Sequence, residues 1–531
     1  MKLFQRYSMY NYYFSQPGFS LDISHVPFDE EYLTGMAELG ARALDAMTAL
    51  ESGSMANPDE GRMVGHYWLR APGLAPAQDI ADAIAGMRGN VTEFGYDLRQ
   101  GRLRGADGTF TDAIHVGIGG SSLGPRLLRD VHVPAEGQVR LHILDNADPD
   151  TVNSLLRALA DRLGRTLVIA VSKSGTTPTP LLLLQEVREG YARAGIDFAS
   201  QAVAITTEGS PLDRQATAER WLRRFPCWDW IGGRTSITAA SGLLPATVIG
   251  ADINCFLDGA AEMDVVTRTP DIMGNPAMLI ALMWYWAGGG KGVRDMVVLP
   301  YRDRLAGLTR YLQQLIMESV GKAVDRTGQV VHQGLSVFGN IGEPDQHAIM
   351  QQLRDGADTA LVVFVGTHTT DRPGPSERTS LDDYLFANLV GTRNALAERG
   401  RPCLTLMFDQ LSLHALGALI ALFERAVGLY AELINVNAYH QPGVLTRTAA
   451  DVLRLQDEML LFLRRRAEPQ TASQIAVGMG VAPDLVYDVL DHLQRSRGRE
   501  VCRFGPSDPG RAQFLAIAPG SAAAASTRNG D

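Results

Sequence analysis

Two α/β domains with mainly parallel sheets, followed by a small winged-helix-like module, are what this 531-residue chain predicts. Three observations carry that reading. Short, continuously apolar runs alternate with helix-length segments in two separate series, the pattern of strands buried on both faces of a parallel sheet. Polar, Gly-rich motifs follow those runs directly, at the carboxyl ends of strands where open α/β sheets collect ligands. After about residue 455 the pattern changes to short helices and short strands.

The first series is AIHVGIG (113–119), QVRLHILD (138–145), TLVIAVS (166–172) and AVAITT (202–207); GGSS lies at the end of the first run and SKSGTT at the end of the third. The second series is MVVLPY (296–301), ALVVFV (360–365) and PCLTLMF (402–408). Two still more apolar stretches, 277–287 and 411–434, read as buried core helices: one is too short to span a bilayer, and Glu424 and Arg425 interrupt the other. Beyond them come an arginine-flanked helix (RLQDEMLLFLRRR), Pro469, and a Thr471–Gln474 capping box that opens a short helix ended by Gly480. A helix from Pro483 to about Arg495 and two short strands, VCRF and QFLAIA, complete the module. The expected division is 1–270 for the amino-terminal segment and first domain, 271–455 for the second, 456–520 for the module and 521–531 for a disordered tail, SAAAASTRNGD.

A net charge of −10 argues against a surface made for nucleic acid or an anionic membrane. The would-be recognition helix of the module carries Asp484, Asp488 and Asp491, charges that DNA phosphates repel, so a packing role is expected there. Cys227, Cys255, Cys403 and Cys502 lie far apart without a CxxC pair, which indicates neither a disulfide framework nor a zinc site and makes the reducing cytoplasm the expected compartment. Only four lysines occur, at 2, 173, 291 and 322, so each deserves a separate reading. Lys173 is flanked by Ser172, Ser174, Thr176 and Thr177, a run of hydroxyls and amides around a compact ammonium that suits a phosphate. The expected ligand is a phosphorylated small molecule.

Taken together the motifs resemble the phosphoglucose isomerase family. They stand in that family's order along most of the chain: NPDEGRMVGHYWLR (57–70), HVGIGGSSLGP (115–125), VSKSGTTP (171–178), GGRTSITAASGL (232–243), QQLIMESVGK (313–322), DQHAIMQQL (345–353) and NAYHQPGV (437–444). The resemblance implies two sugar-isomerase domains of the three-layer α-β-α type and a homodimer. It also implies interconversion of glucose 6-phosphate and fructose 6-phosphate in glycolysis and gluconeogenesis, with no metal or organic cofactor.

Such a reaction holds the phosphate, opens the sugar ring and moves a proton between C1 and C2 through an enediol. Gly120, Ser121, Ser172, Lys173, Ser174 and Thr177 supply backbone amides, hydroxyls and a cation for the phosphate. Glu318, in a helix reading YLQQLIMESV, is placed by the resemblance as the base, and Gln314 one turn earlier shares its face and can meet substrate hydroxyls. The resemblance further assigns Arg234 to the developing enediolate charge, Gln441 to substrate binding, and His347 to the ring oxygen from the partner subunit. The family's ring-opening lysine, seven positions after the glutamine, is Thr448 here; Arg447 stands beside it as a substitute cation. Thr179 and Pro180 depart from the family's pattern at the end of the phosphate loop. The alternatives are an isomerase of another sugar phosphate, such as mannose 6-phosphate, and a non-catalytic sugar-phosphate sensor.

Overall fold

Parallel pairing of five strands builds the first sheet of the protein, for which a computed structural model describes residues 3–369, 379–445, 449–496, 501–506 and 508–517. Its order is Arg140–Leu144, Asp112–Val116, Thr166–Val171, Ala202–Thr206 and Arg223–Pro226. Val116 lies opposite both Leu144 and Ala170, so the loops after the Asp112–Val116 and Thr166–Val171 strands leave the same edge side by side. Every residue of the three central strands is buried, which is why they read as unbroken apolar runs. The fifth strand, RRFP, has no such run and is not predicted.

The second sheet has six strands in the order Asn11–Phe14, Phe19–Asp22, Cys403–Gln410, Ala360–Thr369, Asp295–Pro300 and Val337–Gly339. Its last four are parallel. The amino-terminal hairpin joins it antiparallel, with Leu21 opposite Leu406. Residues 11–22, in the expected amino-terminal segment, thus belong to the second sheet.

Both sheets fall in one compact unit, Met1–His440. At its centre are the two most apolar helices. Pro276–Gly288 starts on an Asn275 cap and ends in a left-handed Gly289, and all but two of its residues are buried. Leu413–Leu433 is long and apolar enough to cross a membrane by composition, yet 89% of its apolar window is buried inside the fold. Its charges are paired there: Arg70 bonds Glu424 at 2.6 Å and Asp264 at 2.7 Å, and Arg425 meets Glu51. The helix passes Ile253–Thr267 through two glycines. A Cβ on Gly417 would stand 1.9 Å from the Phe256 carbonyl oxygen, and one on Gly259 would stand 2.0 Å from that of His414.

The second unit begins at Gln441, ahead of the expected boundary at 456. Helix Ala449–Arg464 belongs to it and gives Met459 and Leu463 to a core shared with Ile475, Leu490 and Phe514. Helices Ala472–Met479 and Pro483–Arg495 follow, with a three-stranded antiparallel sheet. The Thr471–Gln474 capping box forms as expected and Gly480 ends its helix in a left-handed conformation. Residues 521–531 lie outside the described residues.

Candidate active site

Two loops at the carboxyl edge of the first sheet open the site. After Asp112–Val116 the chain turns through Gly119, at φ 60°, into helix Gly120–Val131, whose first turn carries Ser121. A Cβ on Gly119 would lie 2.8 Å from the Gln314 side-chain nitrogen, and one on Gly120 only 1.8 Å from the Gly233 carbonyl oxygen. The glycines therefore do more than turn the chain: their missing side chains let the GGSS loop touch both the Gln314 helix and the GGR loop. Below it, the buried His115 ring meets the Ser121 carbonyl at 2.6 Å.

The second loop runs from Ser172 to Thr177, where helix Pro178–Arg193 begins. Ser172 Oγ accepts from the Gly175 amide at 3.1 Å and lies 3.5 Å from Thr177 Oγ1; Ser174 Oγ lies 3.4 Å from the same threonine oxygen. Ser172 is buried while Ser174 is exposed, so the hydroxyls step from the protein interior outward. Gly175, at φ 66°, leaves room for Ser210 and Leu212 to pack beneath.

Lys173 is placed differently from expectation. Its ammonium donates to the carbonyls of Asp229 (3.0 Å) and Ile231 (2.7 Å), main-chain oxygens of the segment that leads into Gly232, Gly233 and Arg234. Burial, and secondarily Arg62, holds its pKa below the usual lysine value. Two of its three protons are thus engaged in fastening the segment that leads into the GGR loop, acceptors that the sequence reading did not include.

Arg234 and Glu318 face each other. The guanidinium, 8% exposed, donates to the Ala438 carbonyl at 2.7 Å, and its Nη1 stands 3.5 Å from Glu318 Oε2. That carboxylate oxygen is buried and accepts no hydrogen bond. Tyr311 Oη donates to the Arg234 carbonyl at 3.3 Å, so the helix that carries the carboxylate also grips the arginine's backbone. That helix widens through Gln313–Met317 into a π-turn, a device frequent at functional sites, and Gln314 and Glu318 both lie on it. Met317 is exposed, whereas Ile316 is buried.

The structure places Gly120, Ser121, Ser172, Ser174, Thr177 and Lys173 in the first unit's two loops, Arg234 in the Gly233–Thr238 turn, and Gln314 and Glu318 on the facing helix. His347 does not join them: it is on the exposed side of helix Gly342–Asp355. Gln441 belongs to the second unit, and Arg447 and Thr448 lie outside the described residues. A cavity beside Arg234 adds Asn57, Glu60, Arg62, His66 and Tyr439, which sequence reasoning did not assign. The signal was present as polar density in NPDEGRMVGH. Both ring nitrogens of His66 lack a hydrogen-bond partner, and burial keeps this imidazole well below its usual pKa. Among the described residues no cluster of His, Cys, Asp or Glu has the makings of a metal site.

Residues 22–400 match the family model described as phosphoglucose isomerase. A glucose-6-phosphate isomerase of Synechococcus sp. (strain JA-3-3Ab) is 47% identical over 530 residues, covering 98% of this chain and 99% of that protein. One of Geobacter sulfurreducens is 48% identical over 487 residues, covering 90% and 92%. Among solved structures, a glucose-6-phosphate isomerase from Chlamydia trachomatis superposes with a TM-score of 0.77 at 28% identity, over 86% of this chain and 91% of its own.

Proposed function

The chain belongs to the phosphoglucose isomerase family and interconverts glucose 6-phosphate and fructose 6-phosphate, and we propose that Glu318 moves the proton while Arg234 holds the charge. The observation that carries these roles is the pair itself: a carboxylate oxygen with an unused lone pair, 3.5 Å from a buried guanidinium. In the aldose-to-ketose direction Glu318 takes the proton from C2. The C–H electrons become the C1–C2 double bond, and the carbonyl electrons settle on O1 as an enediolate. Arg234, a fixed cation in a site of low polarity, stabilises that oxygen more than it stabilises the neutral carbonyl, which is the condition for catalysis. Glu318 then returns the proton to C1 while the proton of the C2 hydroxyl passes to O1, so that the double-bond electrons form the new C1–H bond, O2 becomes the ketose carbonyl and O1 becomes a hydroxyl. The Ser172–Thr177 loop, Gly120 and Ser121 hold the phosphate, and Gln314 meets the hydroxyls.

Ring opening precedes this step, and we assign it to His347 delivered by a partner subunit in a homodimer. The exposed position of His347 supports the reading, as does the apolar surface nearby. Phe338 is 49% exposed, and Leu381 and Tyr384, on the helix packed against His347's own, are 84% and 55% exposed. Gln441 is proposed to bind substrate and Arg447 to assist the ring oxygen, in a cytoplasmic enzyme that uses no cofactor.

Glu318→Gln tests the assignment because the amide keeps the shape and loses the base. In a coupled assay the variant should lose on the order of 10² to 10⁴ in rate. Titration with inorganic phosphate should give nearly the parent affinity. Parent-like turnover by this variant would remove Glu318 from the role. Mannose 6-phosphate in the same assay should turn over far more slowly than fructose 6-phosphate.

A further inference from the structure

Lys322 is one of the four lysines, and the proton-transfer scheme above leaves it without a task. It is 5% exposed. Its ammonium donates to the main-chain carbonyl of Glu318 at 2.9 Å and to that of His440 at 3.1 Å. The same His440 oxygen lies 3.5 Å from Arg234 Nη2, and Arg234 Nη1 faces the Glu318 carboxylate. Base, guanidinium and ammonium are thereby linked in a closed ring through one carbonyl.

We propose that Lys322 is a positioning residue for isomerisation: its buried ammonium fastens the end of the Glu318 turn to the His440 carbonyl that Arg234 also approaches, and so sets the spacing between base and guanidinium. The assignment rests on the isomerase reading given above. Both hydrogen-bond acceptors are neutral oxygens, so no direct ion pair compensates a charge taken out of water, an arrangement that costs stability. The cation nevertheless suits its two carbonyls. It sits where a helix ends, with the Gly321 amide still bonded to Met317, and charged donors hold carbonyls more firmly than neutral ones.

The charged groups around Lys322 are Arg234, which repels it, and Glu318 and Asp59, which attract it; the His440 imidazole also feels it. Burial first, and Arg234 second, push the lysine pKa down to about 8. The cation is present below that pH and is lost as the pH rises through it. The clamp should weaken accordingly, so kcat should fall on the alkaline side with a midpoint near 8.

The test is the pH dependence of kcat and KM for fructose 6-phosphate, between about pH 6 and 10, in the parent, Lys322→Met and Lys322→Arg. Lys322→Met should lose about ten- to a hundredfold in kcat, since displacement of reacting groups by about 1 Å has effects of that size, and should lose the alkaline limb. Its KM should change less than about threefold, because the phosphate loop is untouched. Lys322→Arg, a permanent cation, should keep more activity and carry its alkaline limb beyond about pH 10. Parent-like kcat with an unchanged alkaline limb in Lys322→Met overturns the proposal. So does an unchanged limb in Lys322→Arg. If neither variant folds, the parent decides: a limb near pH 8 supports the assignment and a flat profile to pH 10 rejects it. An active parent with indifferent variants removes only the role of Lys322, whereas a parent without isomerase activity removes the isomerase reading as well.

Discussion

A lysine and two carbonyls show how a residue's chemistry can be legible while its target is not. Lys173 stands out in the sequence because lysine is rare and hydroxyls surround it; its loop leaves the sheet next to the Gly120 loop, and Lys173 lines one cavity with Arg234. What local pattern does not carry is where a flexible four-carbon stem points. Its acceptors, on Asp229 and Ile231, are 56 and 58 residues away. The consequence is a different expectation for Lys173→Ala. Loss of a charged hydrogen-bonding partner costs roughly 1.5–3 kcal/mol, or about ten- to over a hundredfold. Because the fastened segment leads into Arg234, that loss should appear in kcat as well as in phosphate affinity. Steady-state kinetics with calorimetric phosphate titration separates the two: weakened phosphate binding at parent kcat would return the ammonium to the phosphate. Glu318 is the opposite case. The resemblance supplied its role, and the structure adds the buried oxygen that accepts no hydrogen bond.

Among elements, the strands that were legible are those whose environment imposes one chemistry throughout. The Thr166–Val171 and Ala202–Thr206 strands are buried along their whole length and so cannot alternate. The Arg223–Pro226 strand closes the sheet with two arginines and leaves no apolar run to read. The amino-terminal hairpin is a third kind of case: Phe19–Asp22 pairs with residues near 405, and no local pattern records a partner so distant. Close helix packing is equally non-local. The glycines at 259 and 417 matter only because each faces a carbonyl of the other helix, a fact of the crossing rather than of either sequence. Gly417→Ala should therefore destabilise the protein by roughly 1–3 kcal/mol, the usual cost of overpacking a core. Thermal unfolding followed by circular dichroism should show a melting temperature lower by several degrees, with kinetic constants at 25 °C close to the parent's. An unchanged melting temperature would mean that the two helices separate at little cost.

At the scale of the whole molecule the proposed chemistry is divided between proton transfer and ring opening. Everything proposed for the enediol step, Glu318, Arg234, Gln314 and the phosphate loops, lies within Met1–His440. His347 lies in the same unit, on the exposed side of helix Gly342–Asp355. The proposed twofold dimer would bring the two together, since an isologous interface returns to each site what it gives to the other. The arrangement makes a prediction that a monomeric enzyme cannot imitate. Glu318→Gln and His347→Ala should each be nearly inactive alone. Mixed by co-expression, they form heterodimers in which one site carries both lesions and the other carries neither, because its Glu318 comes from one variant and its His347 from the second. Random pairing makes half the dimers mixed, so about a quarter of the parent's sites are restored. The measurement is the specific activity of the co-expressed pair against each variant alone, with the dimer verified by light scattering. Activity near that fraction is expected only if base and ring-opening histidine meet across the interface. Should the mixture stay as inactive as its components while a dimer is plainly present, both residues act within one subunit, and the surface around Phe338 and Tyr384 serves some other contact.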